Sequence, residues 1–385
     1  MKEVETIVDQ TEISFPKLGW VFHIKRTAFT VFGLDIQWYG ILITIGLLLA
    51  LLYCFSKMKR FGIDSDRALD VAIVGIIGGL VGARLYYVAF RWDEYKGNLK
   101  EIFNTRGGGL AIYGGIIGAL LFGLIACKIR KVKMLPMLDV TVLGFLIGQG
   151  IGRWGNFVNQ EAFGTNTNSI LGMTGGLIQS RIRRETSFLD GEMLAHGLDV
   201  SEKYMVHPCF LYESLWCILG FFLLSWYSKH RKYDGQLLLM YLTWYGAERF
   251  VVEGLRTDSL YVGSSNLRVS QLLSAIVCIA SVVIQIVIFA KRRRDPEAFV
   301  LYASTEESRK LIEESRRKRM GMPPEDELHN DDDEELYEDI LDDEDDDELP
   351  DADDEELADE EDTGAEKVPS EDEEDTEADT DKEEE

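Results

Sequence analysis

The chain has 385 residues and a net charge of −27, but residues 321–385 contain 38 acidic residues against two lysines, so the first 320 residues carry a charge of +9. A segment this acidic and this poor in apolar residues cannot bury enough surface to offset its ordering entropy, so we expect a disordered acidic tail at 321–385. The five cysteines lie in or beside apolar runs without a CxxC spacing, which excludes a disulfide framework or a zinc site as the basis of the fold.

The first 37 residues are predicted to form an N-terminal arm. Met1–Lys17 is polar and acidic and lacks both the basic start and the apolar stretch of a cleavable signal peptide. Trp20–Trp38 mixes β-branched and aromatic residues around Gly33, a pattern that predicts a short hairpin lying on a membrane.

Seven segments are apolar enough to cross a bilayer, for which about 17–25 residues are needed. The sixth contains Glu248 and Arg249, so we expect it to face a protein-lined interior. The sequence therefore predicts an all-α polytopic membrane protein with about seven transmembrane helices. The predicted spans are Trp38–Phe55, Ala68–Phe90, Gly107–Cys127, Leu135–Gly152, Phe210–Tyr227, Leu237–Val252 and Leu272–Ala290.

Basic clusters follow the first, third, fifth and seventh spans, and they begin at Lys57, Lys128, Lys229 and Lys291. All four fall on one side of the membrane, which the positive-inside rule assigns to the cytosol. The N-terminus is therefore expected outside and the C-terminus in the cytosol of a multi-pass cell-membrane protein.

The remaining domain boundaries follow from the polarity of the sequence. Residues 153–207 are too polar for a membrane and too long for a plain loop, which predicts a small extracytoplasmic α+β cap within the seven-span catalytic domain at 38–294. Residues 295–320 are predicted to form a basic amphipathic helix on the inner surface, with Leu301, Leu311 and Ile312 on its apolar side.

The stretch Gly148–Glu161 places an arginine, two asparagines and a glutamate where an apolar span ends. An arginine at a bilayer surface requires an anion, and the surface consists of phosphate anions. Four glycines in the same stretch clear side chains from the backbone and allow a large molecule to approach. We interpret the stretch as a lipid-headgroup site.

Other polar side chains are expected at the same outer depth. Two guanidiniums can clamp a phosphodiester and stabilise charge on a departing phosphate, and a tyrosine or histidine can move a proton. No HExxH, Walker or GxSxG motif is present, so no metal or cofactor is expected. The candidates are Tyr39, Arg84, Tyr113, Arg153, Asn156, Glu161 and His207, with Tyr245, Arg249, Glu253 and Arg256 on one face of the sixth span.

Several blocks resemble the prolipoprotein diacylglyceryl transferase family. Gly152–Glu161 is similar to its signature G-R-x-G-N-F-x-N-x-E, and five further blocks follow the family's order. The resemblance implies that the diacylglyceryl group of phosphatidylglycerol is transferred to the lipobox cysteine of a prolipoprotein, with release of glycerol-1-phosphate. No nucleic-acid partner is expected. The further blocks are Trp38–Gly40, Gly82–Leu85, Gly108–Gly115, His207–Glu213 and Arg249–Glu253.

The resemblance also implies residue roles. Arg153 matches the phosphatidylglycerol-binding arginine of the family and Arg249 its second essential arginine. Other functional positions of the family are occupied here by Tyr39, Asn156, Glu161, Gly164 and Glu253. To these we add Arg84 and Tyr245 as candidate lipid ligands.

Tyr113 stands where some members of the family have a histidine that has been proposed as the base. A tyrosine has an ordinary pKa of about 10 and is a poor base at neutral pH unless nearby cations lower that pKa. Either an arginine activates Tyr113, or Tyr113 positions the lipid and the thiol loses its proton elsewhere, with His207 as the alternative base.

A small-solute transporter is the alternative function, because seven spans with buried charges would also suit one. Transporters usually hold such charges at mid-membrane between repeated halves. Here the charges lie towards one leaflet and no repeat relates the two halves.

Overall fold

The structure is a computed structural model, and it describes residues 9–97, 99–104, 108–188, 205–257, 259, 261 and 268–322, apart from the side chains at 99 and 183–188. The disorder predicted for the acidic tail, and residues 189–204 of the predicted cap, therefore lie outside the described residues.

The protein is mostly helical, as predicted. The long apolar segments form helices because a helix satisfies its own backbone hydrogen bonds where no water is available. The helices of the membrane region and its flanks are α1 (Trp38–Lys57), α2 (Ser65–Phe90), α3 (Ile112–Arg130), α4 (Met134–Asn159), α5 (Gly176–Phe188), α6 (Cys209–Tyr227), α7 (Gln236–Leu255), α8 (Val269–Arg294) and α9 (Glu306–Met320).

Six of the described helices, α1, α2, α3, α4, α6 and α8, are long and apolar enough to cross a membrane. The predicted sixth span, Leu237–Val252, is helical as part of α7, but its charged residues set it apart from these six. A membrane crossing by α7 stays a prediction. Arg256, which we expected on the same helical face as Arg249, lies just beyond the end of α7 in extended backbone.

Small residues let the helices approach closely, as expected for the glycines of the second span. Helix α2 packs along α3, where Gly82 meets the backbone of Gly114 and Gly118. Helix α1 packs along α4, where Gly46 lies against Gly148. Because α4 also packs on α6 and α7, it is the central helix of the bundle.

Asp139 fixes the start of α7. This carboxylate is fully buried on α4 and accepts hydrogen bonds of 2.8 Å from the backbone nitrogens of Gly235 and Leu238. It thereby satisfies amide groups at the helix N-terminus, which have no partner within the helix. Asp139 therefore has a structural role at the start of α7.

The N-terminal arm and the predicted cap share one sheet. Its strands are β1 (Glu12–Phe15), β2 (Trp20–His23) and β5 (Thr174–Gly175), in the antiparallel order β2-β1-β5. The predicted hairpin around Gly33 forms from β3 (Thr27–Val31) and β4 (Leu34–Gln37). Because β1 pairs with both β2 and β5, the predicted arm contributes strands to the same sheet as the predicted cap. The domain boundary between them stays a prediction. We call the sheet β2-β1-β5 together with α5 the cap.

Gln160 joins the cap to the membrane helices. It follows α4 in left-handed backbone (φ +50°), and its side chain is buried. Its Oε1 accepts hydrogen bonds from the nitrogens of Leu177 and Ile178 at the start of α5. Its Nε2 donates to the carbonyls of Gln10 and Glu12. One side chain thus holds α4, α5 and β1 together.

At the end of the bundle opposite to the cap, α9 packs against the ends of the helices. Leu301, Leu311 and Ile312, which we predicted on the apolar side of this segment, are only half-buried, and Leu301 lies before α9. The helix is held by polar contacts to the protein. These contacts are Lys133 Nζ–Glu307 Oε2 at 3.0 Å, Arg67 Nη2–Glu314 Oε2 at 3.0 Å and the buried hydrogen bond from Ser308 Oγ to Gly62 O at 2.8 Å.

Replacing Gln160 by alanine should loosen the cap. Four hydrogen bonds are lost, worth about 2–4 kcal/mol together at about 0.5–1 kcal/mol each. Local opening should then expose the backbone beside Arg181 of α5, and limited trypsin digestion of the purified protein should cleave there at least about tenfold faster. Gln37→Ala, at an exposed position of β4, is the control. Equal digestion rates in both variants would contradict this role of Gln160.

Candidate functional site

Glu213 lies at the centre of the candidate site. It is on the first turns of α6, only 1% exposed, with its two oxygens facing two arginines from other helices. Arg153 Nη1 from α4 is 2.9 Å from Oε2, and Arg249 Nη1 from α7 is 3.1 Å from Oε1. The two arginines that we predicted to act together therefore share one buried carboxylate.

Glu253 completes this group. It is on α7, one helical turn after Arg249, and its buried carboxylate forms a second ion pair with that guanidinium. We call Arg153, Glu213, Arg249 and Glu253 the Glu213 cluster. A buried charge is tolerated only when it is paired, and the cluster pairs two cations with two anions.

Our sequence reasoning placed Glu213 at the start of the fifth span but did not select it as a site residue. The signal that could have found it is the isolation of this carboxylate within Cys209–Tyr227, which is otherwise apolar. An acidic residue in such a helix requires a cation from another helix.

A second set of polar residues lies where α4 ends. Glu161 Oε1 accepts hydrogen bonds of 3.1 Å from the amides of Asn156 and Asn159. On the other side, Arg181 Nη2 from α5 of the cap is 3.8 Å from Glu161 Oε2. Beside this group is a cavity of about 230 Å³, which is lined by Asn156, Glu161, Ala162, Phe163, Arg181, Arg256 and Thr257.

Tyr39 lies against the same end of α4. Its ring occupies the space above Gly155 that any larger side chain at that position would fill. Neighbouring Trp154 donates from Nε1 to Ser214 Oγ at 3.1 Å and packs edge-on against Phe210, which ties α4 to α6. The glycine in the motif therefore permits the close approach of an aromatic ring from α1.

Gly164 joins three chain segments at the ends of the helices near the cap. Its nitrogen donates to His207 O at 2.9 Å, and a side chain here would run into His207 and the sulfur of Cys209. The next residue, Thr165, donates to Leu255 O at 2.7 Å. Gly164 thereby holds the loop after α4 against the start of α6 and the end of α7.

His207 lies next to this junction. Its Nδ1 is 3.2 Å from the hydroxyl of Tyr212. Burial lowers the pKa of His207 below the usual 6.5, so the imidazole is neutral at neutral pH. A neutral imidazole can accept a proton.

Tyr245 and Glu248 lie on α7 beside the cluster. The ring of Tyr245 stacks on Tyr241 with centroids 5.7 Å apart, and the Tyr241 hydroxyl accepts a hydrogen bond of 2.9 Å from Gln149. Glu248 is 5% exposed, and neither of its carboxylate oxygens has a hydrogen-bond partner.

Arg84 and Tyr113 are not brought into the cluster. Arg84 is buried on α2 and donates to four backbone carbonyls, those of Glu101, Ile102, Gly108 and Gly109. Tyr113 is 44% exposed near the start of α3. In the described part of the chain, no hydrogen bond joins either residue to the Glu213 cluster. Lipid binding by Arg84 stays a prediction, and its contacts are those of a clamp on a loop.

Comparisons with known proteins identify similar chains. A family model described as prolipoprotein diacylglyceryl transferase matches residues 26–287. The phosphatidylglycerol–prolipoprotein diacylglyceryl transferase of Finegoldia magna is 46% identical over 264 residues, which cover 68% of this chain and 95% of that protein. The proteins of the same name from Clostridioides difficile and Staphylococcus aureus strain Newman are 42% and 35% identical, over 71% and 73% of this chain and 98% and 95% of theirs. The matched range contains the whole Glu213 cluster and ends before α9.

Gly155→Ala should displace Tyr39, because the added methyl group enters the space of the ring. Overpacking of this kind costs about 1–3 kcal/mol. Thermal unfolding of the purified protein should show the loss, and the loss should shrink in a Tyr39→Ala background, which removes the ring. Gly148→Ala on the same helix is the control, since a side chain there meets only Gly46 O at 3.9 Å. Equal destabilisation by the two alanines would disprove the contact.

Proposed function

The chain belongs to the prolipoprotein diacylglyceryl transferase family, and on this premise we propose that it transfers the diacylglyceryl group of phosphatidylglycerol to a prolipoprotein at the Glu213 cluster. It is a membrane transferase of the first step of lipoprotein maturation. The acceptor is the thiol of the lipobox cysteine. Its sulfur attacks the carbon of the diacylglyceryl group that is bonded to the phosphate oxygen. The bond between that carbon and the oxygen breaks, and glycerol-1-phosphate leaves.

The observation that carries this proposal is the pairing of Arg153 and Arg249 through Glu213. Guanidinium groups bind phosphate through forked, charge-assisted hydrogen bonds. Both side chains are partly exposed, at 19% and 17%, and can bind a phosphodiester while they keep their carboxylate partners. As the carbon–oxygen bond breaks, negative charge grows on the phosphate, and two fixed cations stabilise it.

The cavity beside Glu161 suits the headgroup of the lipid. Asn156 lies one helical turn after Arg153 and so faces the same side of α4. With the carboxylate of Glu161 and the hydroxyl of Thr257, it offers hydrogen bonds to the glycerol of phosphatidylglycerol. At about 230 Å³ the cavity is smaller than the roughly 300–1,000 Å³ of a drug-sized pocket, so it holds a headgroup and leaves the acyl chains in the membrane.

The remaining predicted residues support this arrangement. Tyr39 covers the start of the motif above Gly155, and Gly164 holds the loop that forms the cavity wall. Tyr245 packs against Tyr241 beside the arginines. We assign Tyr39 to the catalytic set, and Gly164 and Tyr245 to the binding of phosphatidylglycerol.

For the proton of the thiol, Tyr113 is the proposed acceptor and His207 the alternative. Tyr113 follows directly after the loop that Arg84 holds through the carbonyls of Gly108 and Gly109. Arg84 therefore acts as a positioning residue for Tyr113. The neutral His207 is available as a base at neutral pH, but it is hydrogen-bonded to Tyr212.

The topology is part of the proposal. The basic clusters at Lys57, Lys128, Lys229 and Lys291 lie at the ends of the bundle opposite to the motif, and the positive-inside rule puts them in the cytosol. The cap and the Glu213 cluster are then extracytoplasmic. Helix α7 makes the seventh crossing, because its charges pair with Glu213 inside the protein. The transporter alternative is not favoured, since the relatives are named as transferases.

Removing either arginine should abolish the transfer. With purified protein, phosphatidylglycerol and a lipobox peptide, Arg153→Ala or Arg249→Ala should lower the release of glycerol phosphate at least about 100-fold, the loss expected when one donor to a developing anion is removed. Arg91→Ala is the control, because Arg91 forms a comparable ion pair of 3.0 Å with Glu94 away from the cluster. A folded Arg249→Ala protein with more than about a tenth of the activity would refute the proposal.

Substitutions of Tyr113 should distinguish the two candidate bases. If the phenol accepts the proton, Tyr113→Phe should reduce kcat at every pH, and Tyr113→His should restore it and move the optimum towards lower pH, because an imidazole has the lower pKa. Rates should be measured across pH with the same peptide. Full activity of Tyr113→Phe at every pH would assign the proton to another residue, with His207→Asn as the next variant.

A further inference from the structure

Glu248 is the ionisable group in the site that the proposed reaction does not use. It immediately precedes Arg249 in the sequence, and it is 95% buried. Both of its carboxylate oxygens are shielded from solvent and accept no hydrogen bond. Each carboxylate of the Glu213 cluster, in contrast, forms an ion pair with an arginine.

Groups from α4, α6 and α7 influence Glu248, and α8, which also packs on α7, places Cys278 against Gly246. They include cations, which favour its ionised form, and a carboxylate, which disfavours it. None of them donates a hydrogen bond to Glu248. The groups are Arg153 from α4, Glu213 and Cys217 from α6, and Tyr245, Arg249 and Arg256 on or just after α7.

The charges of the cluster are already matched without Glu248. Arg153 and Arg249 carry two positive charges, and Glu213 and Glu253 carry two negative ones. An ionised Glu248 would add a negative charge beside this matched group in a region of low dielectric constant. Neither Arg256 nor any other nearby described cation donates a hydrogen bond to it, so this charge would be highly unfavourable. A neutral carboxyl group leaves only unpaired dipoles, at a much smaller cost.

We propose that Glu248 is held as the neutral acid, and that its neutrality allows the arginines of the Glu213 cluster to bind an anionic lipid phosphate. With Glu248 neutral, the cluster has no net charge and a phosphodiester meets two guanidiniums. With Glu248 ionised, a negative charge stands beside the cluster before the lipid arrives and repels its phosphate. This inference rests on the proposed function, and Glu248 is the group that sets the preference of the site for an anionic headgroup.

The binding of phosphatidylglycerol should weaken at high pH, because the ionised form of Glu248 repels the phosphate. Glu248 is neutral at low and neutral pH, so binding of phosphatidylglycerol is intact there. As the pH rises and Glu248 loses its proton, KM for phosphatidylglycerol should increase about tenfold, the effect of one added charge close to the phosphate. The chemical step does not use Glu248, so kcat should not fall with this ionisation.

Glu248→Gln tests the inference, because glutamine keeps the shape and neutrality of the acid and cannot ionise. At neutral pH the variant should transfer lipid within about threefold of the wild-type rate, and its KM should stay constant as the pH rises. Glu94→Gln is the matched control, since Glu94 is an exposed partner of Arg91, and it should follow the wild-type profile. If Glu248→Gln does not fold, Glu248→Met provides a second neutral side chain of similar length.

Infrared spectroscopy supplies a readout that does not depend on activity. The difference spectrum between wild type and Glu248→Gln at neutral pH should contain the carbonyl band of one protonated carboxylic acid. The absence of this band overturns the inference, as does an equal rise of KM in both proteins or a folded Glu248→Gln protein without activity. A wild-type protein that transfers no lipid while the band is present would instead refute the proposed function alone.

Discussion

The carboxylate of Glu213 determines how the cap end of the bundle is organised. Two arginines from α4 and α7 would repel each other if they stood alone, and the carboxylate from α6 holds them together without bringing in water. Each of its two oxygens pairs with one arginine, so a single side chain fixes the relative positions of three helices. The same geometry leaves both guanidiniums partly exposed, at 19% and 17%, and this exposure is why we propose that the ion-pair network binds phosphate.

Close backbone approach supports this arrangement. The motif after Gly148 contains glycines because the ring of Tyr39 and the helix α1 lie directly against α4. Beyond the motif, the chain turns through left-handed backbone at Gln160, whose side chain accepts hydrogen bonds from the first amides of α5. These bonds fix the position of α5 relative to the end of α4 and therefore to Arg153. The cavity beside Glu161 is formed by this turn, by Arg181 of the cap and by the residues just after α7.

Local patterns were sufficient to predict the helices and the paired arginines. Apolar runs predict membrane helices because lipid leaves the backbone no other partner, and Arg153 and Arg249 were selected because isolated charges in such runs need a function. Long-range pairing was not predictable in this way. The pairing of β1 with β5, the docking of α9 and the use of Glu213 by two other helices join residues that are far apart in the chain, and no periodicity of the sequence encodes these partners.

Arg84 shows where tolerance to sequence change is expected. Its guanidinium donates to the main-chain oxygens of Glu101, Ile102, Gly108 and Gly109 and lies over the ring of Tyr95. Any amino acid at positions 101 and 102 supplies the same oxygens, whereas Gly108 and Gly109 have positive φ, and a side chain at Gly109 would run into Arg84 itself. Lysine cannot replace Arg84, because an ammonium group has three donors and lacks the planar fork with which the guanidinium contacts these four carbonyls. We therefore expect substitutions to be tolerated at Glu101 and Ile102 and to be damaging at Arg84.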